Sequence, residues 1–106
     1  MWPAYLAYFA TGALLCNAIP HLVAGLQGHP FPTPFATPRG VGDSPPLVNT
    51  LWGIANLAGG LAVLVGHPVA LAFDVPVLGV LAGAVVMGGY LSVHFGRVRQ
   101  GKRPVG

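Results

Sequence analysis

The sequence predicts an all-α integral membrane protein, a bundle of three transmembrane helices forming one domain over residues 1–106. The chain is 54% hydrophobic and only 7% charged, whereas soluble domains carry about a quarter charged residues. Three segments, Pro3–Leu26, Pro45–Val65 and Val75–Phe95, contain no charged residue. Each supplies the roughly 20 helical residues that one crossing of a bilayer requires.

The basic residues all fall on one side of a three-span topology. Arg39 lies in the first loop, and the other four follow the third span: Arg97, Arg99, Lys102 and Arg103. Because cytoplasmic loops carry the excess of Lys and Arg, we expect the first loop and the C-terminus to be cytoplasmic and the N-terminus outside. The predicted location is a bacterial inner membrane. The net charge of +3 then suits anionic lipid headgroups, and no nucleic-acid partner is expected because no such motif is present.

The first helix should begin at Pro3, since proline is favoured in the first turn. Pro20 lies near the other end, where it should free the carbonyl of Cys16 and bend the axis. Cys16 is the only cysteine, so no intrachain disulfide is possible and we interpret it as a packing residue.

The first loop, residues 27–44, is rich in proline. Four prolines at close spacing predict an extended, polyproline-like path. Phe31 and Phe35 are too apolar for a free linker, so we expect both rings to dip into the membrane face. The loop is either a connector that lies along the membrane or a lid over a site.

The second and third helices have recognisable starts. Ser44 is the expected cap of the second, with Pro45 in its first helical position. Asp74 is the expected cap of the third, with Pro76 in its first turn. A start at Pro68 is the alternative, but it would place the Asp74 carboxylate inside a spanning helix.

Small residues recur at helical spacing in the second and third spans. Close backbone approach drives the association of membrane helices, so these residues are predicted packing positions: Gly53, Gly59, Gly60, Gly79, Gly83, Ala84, Gly88 and Ser92. They offer more surface than one neighbouring helix needs. We therefore expect a homo-oligomer or a complex with a larger membrane-protein partner.

Polar side chains from all three helices fall near one depth on the cytoplasmic side, given a rise of about 1.5 Å per residue. Polar groups at membrane depth turn away from lipid. The residues concerned are candidate ligand-binding positions: Asn17, His21, Asn49, Trp52, Asn56, Tyr90 and His94. They are either hydrogen-bonding contacts between helices or the lining of a polar pocket beneath the loop.

Catalytic and metal-binding patterns are not evident. The only acids, Asp43 and Asp74, lie outside the spans, and Ser92 and His94 are too close in sequence to share a helix face. No metal site and no cofactor are expected, although two histidines at one depth also permit axial ligation of haem. Enzymatic activity is not assigned, and the absence of a catalytic motif argues against it.

Several segments together resemble a family of small bacterial multi-pass membrane proteins: Asn17–His21, His29–Phe31, Pro34–Gly40, Asn49–Gly53 and His94–Arg97. The resemblance covers most of the chain. It implies a three-span membrane protein, and it carries no known activity, so it transfers no functional residue.

Three functions are consistent with the sequence. The first is a non-catalytic accessory subunit or homo-oligomer packed through its small residues. The alternative is a protein that binds or transports a small ligand in a cytoplasmic-side pocket formed by His21, Asn49 and His94. A membrane enzyme of unassigned reaction is the third.

Overall fold

The structure, a computed structural model, describes residues 2–102. The elements in chain order are α1 (Trp2–Leu26), β1 (Phe31–Pro32), β2 (Asp43–Ser44), α2 (Pro46–Gly66) and α3 (Val75–Gly101). All three helices are long and apolar enough to cross a membrane, which confirms the predicted helical architecture. Arg103, one of the five basic residues, lies outside the described residues.

Helix α1 lies in the middle of the bundle, antiparallel to α2 and parallel to α3. It packs along both neighbours, whereas α2 and α3 make almost no contact with each other within residues 2–102. The loop of residues 27–45 and the end of α3 share one end of the bundle, which we call the loop end. The residue 67–74 segment and Trp2 lie at the opposite, connector end. This arrangement leaves a groove with α1 as its floor and α2 and α3 as its walls.

The starts of α2 and α3 differ in detail from those expected. The cap position of α2 is Pro45, and Pro46 is the first helical residue, so the predicted cap by Ser44 is wrong. The Ser44 hydroxyl is instead 2.6 Å from the hydroxyl of Thr33. Asp74 does occupy the cap position of α3, which excludes a start at Pro68, but its side chain makes no capping hydrogen bond.

Helix α1 begins one residue before its uncharged segment and α3 ends six residues after its own, whereas α2 is displaced by one residue without a change in length. Helix α3 continues beyond Phe95 to Gly101, because a charge limits a membrane segment but not a helix. Its last residues lie against the loop, where the Lys102 ammonium is 3.0 Å from the Asp43 carboxylate. Helix α1 is continuous through Pro20.

The predicted packing residues mostly face α1 of the same chain. A Cβ atom at Gly53 would lie 2.7 Å from the Leu22 side chain, and one at Gly60 would lie 2.6 Å from that of Leu15. On α3, a Cβ at Gly83 would overlap the carbonyl oxygen of Phe9. These glycines therefore allow α2 and α3 to approach α1 closely.

The other small residues differ in how close their neighbours lie. Gly79 lies against Tyr8, and Ala84 contacts Gly12 through its backbone. Cβ atoms at Gly59 and Gly88 would meet Leu14 and Cys16 at ordinary distances of 3.6 and 3.5 Å. Ser92 is exposed, and its hydroxyl donates to the carbonyl of Gly89 in its own helix.

The loop is folded rather than extended, so the predicted polyproline path is wrong. Its ends pair as a short antiparallel ladder, Phe31 with Ser44 and Pro32 with Asp43. Between them, the carbonyl of Thr33 accepts hydrogen bonds from the amides of Ala36 and Gly40. Gly40 adopts φ of +68°, a conformation that glycine reaches without strain. The proline rings still exclude helix, but backbone hydrogen bonds close the segment into a cap over the loop end.

Candidate functional site

Asn49 joins α1, α2 and the loop through one fully buried side chain. Its Nδ2 donates to the carbonyl oxygens of Phe31 at 2.9 Å and Ser44 at 3.1 Å. Carbonyl oxygens only accept hydrogen bonds, which fixes the orientation of the amide. Its Oδ1 must therefore accept the third hydrogen bond, from Nδ1 of His21 at 2.9 Å.

A second amide contact joins α1 and α2 about two turns further from the loop. Asn17 Nδ2 donates to Asn56 Oδ1 at 2.9 Å, and Asn56 Nδ2 donates to the Trp52 carbonyl at 2.8 Å. The buried residues of α2 are Asn49, Gly53, Asn56 and Gly60, which follow one stripe at the spacing seen in the sequence. Both the oxygen and the nitrogen of the Asn56 amide therefore make hydrogen bonds within the protein.

His94 ties α3 to the loop. Its Nε2 lies 2.7 Å from the Gly40 carbonyl oxygen. The oxygen can only accept, so Nε2 carries the proton. The Tyr90 ring stacks on the imidazole at 5.7 Å between ring centroids and an interplanar angle of 7°. His94 is only half-buried and Tyr90 is exposed, which places this pair at the edge of the bundle.

An aromatic cluster surrounds His21, which is 2% exposed. Its ring lies edge-on to Phe31, Phe95 and Trp52, with centroid distances of 5.6, 6.2 and 6.5 Å. Phe31 thus turns into the bundle, contrary to the expectation that it dips into the membrane. Phe35 is 65% exposed, but its ring packs edge-on against Trp52 at 5.1 Å.

A cleft of about 240 Å³ lies beneath the loop, between α2 and α3. Asn17 and His21 of α1 form its floor, Trp52 lies on the α2 side, and residues of α3 form the other wall: Met87, Tyr90, Leu91, His94 and Phe95. Pro32, Thr33, Pro34 and Gly40 cover it from the loop. Because α2 and α3 barely touch, the cleft opens sideways from the bundle.

The predicted polar residues therefore divide into two groups. Asn49 and Asn56 make internal hydrogen bonds and do not line the cleft. The remaining five line it: Asn17, His21, Trp52, Tyr90 and His94. Thr33, Met87, Leu91 and Phe95 also line the cleft and were missed. Only the folded loop brings Thr33 there. The depth estimate from helical rise could have found Leu91 and Met87, which lie within a turn of Tyr90.

The residues present do not assemble a recognisable metal centre. Among the described side chains, no group of three or more His, Cys, Asp or Glu could hold a metal ion. His29 in the loop is exposed, as is His67 at the connector end. The arrangement offers hydrogen bonds and aromatic surface rather than a cluster of anionic ligands.

Comparisons with protein-family models, with curated proteins and with solved structures found no match to this chain. The fold and the site define a three-helix bundle, with helices apolar enough for a membrane, that carries a loop-covered cleft.

Proposed function

We propose that this protein resides in a bacterial inner membrane, with the loop end in the cytoplasm and the connector end outside. Each helix is longer than the roughly 30 Å of hydrocarbon at 1.5 Å per residue. Among the described basic residues, Arg39, Arg97, Arg99 and Lys102 all lie at the loop end and are exposed. That distribution favours a cytoplasmic loop end.

We further propose that the protein binds a small amphipathic molecule in the cleft beneath the loop. The observation that carries this proposal is the convergence of two imidazoles, an amide and three aromatic rings on one open cleft. Ligand sites are mostly apolar, with a few convergent polar groups, and this lining has that character. Its volume of about 240 Å³ is below the roughly 300–1,000 Å³ of drug-sized sites. The cleft therefore suits a small headgroup whose apolar part extends sideways into lipid.

Solvent extraction of the purified protein tests this function. Met87 lines the cleft, whereas Val86, the preceding residue of α3, is 58% exposed on the outer surface. Met87→Trp should fill the cleft and reduce a co-purifying molecule at least fivefold by mass spectrometry. Val86→Trp is the matched control and should leave the amount unchanged. Equal amounts in the two variants and the wild type would contradict the proposal.

The same preparation tests the haem alternative, since both candidate ligands, His21 and His94, line the cleft. A Soret band in the absorbance spectrum that is lost in Met87→Trp would favour haem. We propose binding without a resident cofactor. The absorbance spectrum is the test, because each imidazole donates from one nitrogen and keeps the other available.

An accessory subunit or homo-oligomer is the second candidate function. The observation that favours it is the outer face of α3, where added Cβ atoms at Gly89 and Gly96 would meet nothing within 4 Å. A second helix could approach the backbone closely there. A particle mass in detergent above that of one chain, reduced by Gly89→Leu, would support this candidate.

A further inference from the structure

The hydrogen-bonding directions of the two cleft histidines can be worked out from their partners. His21 donates from Nδ1 to Asn49, whose amide orientation is fixed by two carbonyls. His94 donates from Nε2 to the Gly40 carbonyl. A neutral imidazole has one donor and one acceptor nitrogen. The remaining nitrogens, Nε2 of His21 and Nδ1 of His94, are therefore acceptors when the rings are neutral.

The surroundings favour a neutral ring at the buried His21. Of the two acids, Asp43 pairs with Lys102, and Asp74 lies at the connector end. Neither lines the cleft, so among residues 2–102 no carboxylate compensates an imidazolium there. A buried charge without a partner is strongly unfavourable.

The acceptor nitrogen of His21 lies at the surface of the cleft. Every buried side-chain nitrogen or oxygen in the described residues has a hydrogen-bond partner. Nε2 of His21 makes no hydrogen bond within residues 2–102, so it must be accessible. His21 is otherwise almost entirely buried, and the cleft is the accessible surface that its ring lines.

We infer that the cleft selects a membrane-soluble phenol or hydroquinone, an aromatic ring bearing a hydroxyl group and an apolar tail. The hydroxyl donates a hydrogen bond to a cleft imidazole. An ether or a ketone cannot make this bond, because it has no O–H or N–H group. The ring packs against Trp52, Tyr90 and Phe95, since aromatic rings favour edge-on or offset contacts. The tail leaves through the sideways opening between α2 and α3. This inference rests on the proposed ligand-binding function and narrows its ligand to one chemical class.

Tryptophan fluorescence distinguishes donor and non-donor probes in Trp2→Phe, a variant that keeps every residue of the cleft. In Trp2→Phe the remaining tryptophan, Trp52, lies at the cleft; in Trp52→Phe the remaining one, Trp2, lies at the connector end. The probes are para-octylphenol and its methyl ether, para-octylanisole, added to the protein in detergent. We expect saturable quenching of Trp52 at an about tenfold lower concentration of the phenol, the ratio that one hydrogen bond of about 1.4 kcal/mol gives. The fluorescence of Trp2 reports the partition of the probes into the micelle, so the two probes should quench it weakly and to the same extent.

Two other outcomes separate the inference from the function on which it rests. Saturable quenching of Trp52 at equal concentrations of the two probes would overturn the phenol inference, while supporting a cleft that binds amphipathic molecules. Quenching of Trp52 no stronger than that of Trp2 would also overturn the inference. The solvent-extraction comparison of Met87→Trp with Val86→Trp would then decide the proposed function separately.

Discussion

A single amide holds three parts of the chain together at Asn49. Its three short hydrogen bonds reach α1 through His21, β1 through Phe31 and β2 through Ser44. Asn49 is fully buried, so no water would replace the hydrogen bonds that these groups would lose without its amide. The residue therefore orients the His21 ring and anchors both ends of the loop, although it does not touch the cleft.

Replacing Asn49 should cost more stability than its size suggests. Asn49→Ala leaves the buried Nδ1–H of His21 without a partner, which costs about 1–3 kcal/mol. It also removes one hydrogen bond from each of the Phe31 and Ser44 carbonyls, which keep the bonds of their strand pairing. We expect a loss of at least about 2 kcal/mol in the free energy of unfolding, measured by thermal or denaturant unfolding in detergent.

The matched control for Asn49 is Leu51→Ala on the same helix, where the side chain is 57% exposed. An exposed leucine contacts detergent or lipid in both the folded and the unfolded state, so its removal changes the free energy of unfolding little. This variant should therefore have a stability near that of the wild type. Equal stability of Asn49→Ala and Leu51→Ala would contradict the role given to the amide.

The helices associate through backbone contact rather than through interlocking large side chains. The close approach of α3 to α1 depends on Gly12 and Gly83, where added Cβ atoms would overlap backbone atoms of the other helix. Backbone cannot move aside as a flexible side chain can, which makes these positions intolerant of any larger residue. In contrast, the large apolar side chains mostly lie on the outer surface, as expected for helices surrounded by lipid.

Gly83→Ala should destabilise the bundle, whereas Gly89→Ala should not. The two glycines lie on the same helix, but an added Cβ at Gly83 meets the Phe9 carbonyl and one at Gly89 meets nothing within 4 Å. Overpacking of this kind costs about 1–3 kcal/mol. We expect a lower melting temperature for Gly83→Ala alone, measured by circular dichroism in detergent. Two variants with the same melting temperature would show that α1 and α3 do not pack as described.

The loop is held by polar contacts from two helices. Asn49 anchors its strands and His94 holds its central turn through Gly40. The ion pair of Lys102 and Asp43 is largely exposed, with side-chain accessibilities of 40% and 46%, and exposed pairs contribute little to stability. The cover over the cleft therefore depends on the buried Asn49 amide and the half-buried His94 imidazole more than on the ion pair.

At the scale of the whole molecule, the described basic residues lie at the same end of the bundle as the cleft and its polar side chains. Arg39 belongs to the loop, Arg97 and Arg99 belong to the last turns of α3, and Lys102 directly follows that helix. The ion pair of Lys102 with Asp43 brings the loop and the end of α3 together. The connector end carries the exposed aromatic rings of Trp2 and Tyr5, a residue type enriched at membrane interfaces. Such asymmetry favours one orientation in the bilayer.

Reporter fusions test that orientation. A reporter active in the cytoplasm should give signal when fused after the C-terminus and none when inserted in residues 67–74. A periplasmic reporter should give the opposite pattern, because the proposed topology has the basic loop end in the cytoplasm. Substituting Arg97, Arg99 and Lys102 by Gln should weaken the bias and produce mixed signals. Periplasmic activity from the C-terminal fusion would contradict the proposed topology.

The sequence alone determined the number of helices and most of their limits, because the absence of charge and the positions of proline are local properties. The spacing of Asn49, Gly53, Asn56 and Gly60 likewise defined one buried face, since it depends only on helical periodicity. Only the tertiary structure decided that the small residues serve α1 of the same chain and that α2 and α3 stand apart. It also decided that the loop folds back over the cleft. The hydrogen bonds of Thr33 and Gly40 that hold the loop join residues at irregular spacings, which the periodicity of the sequence does not predict.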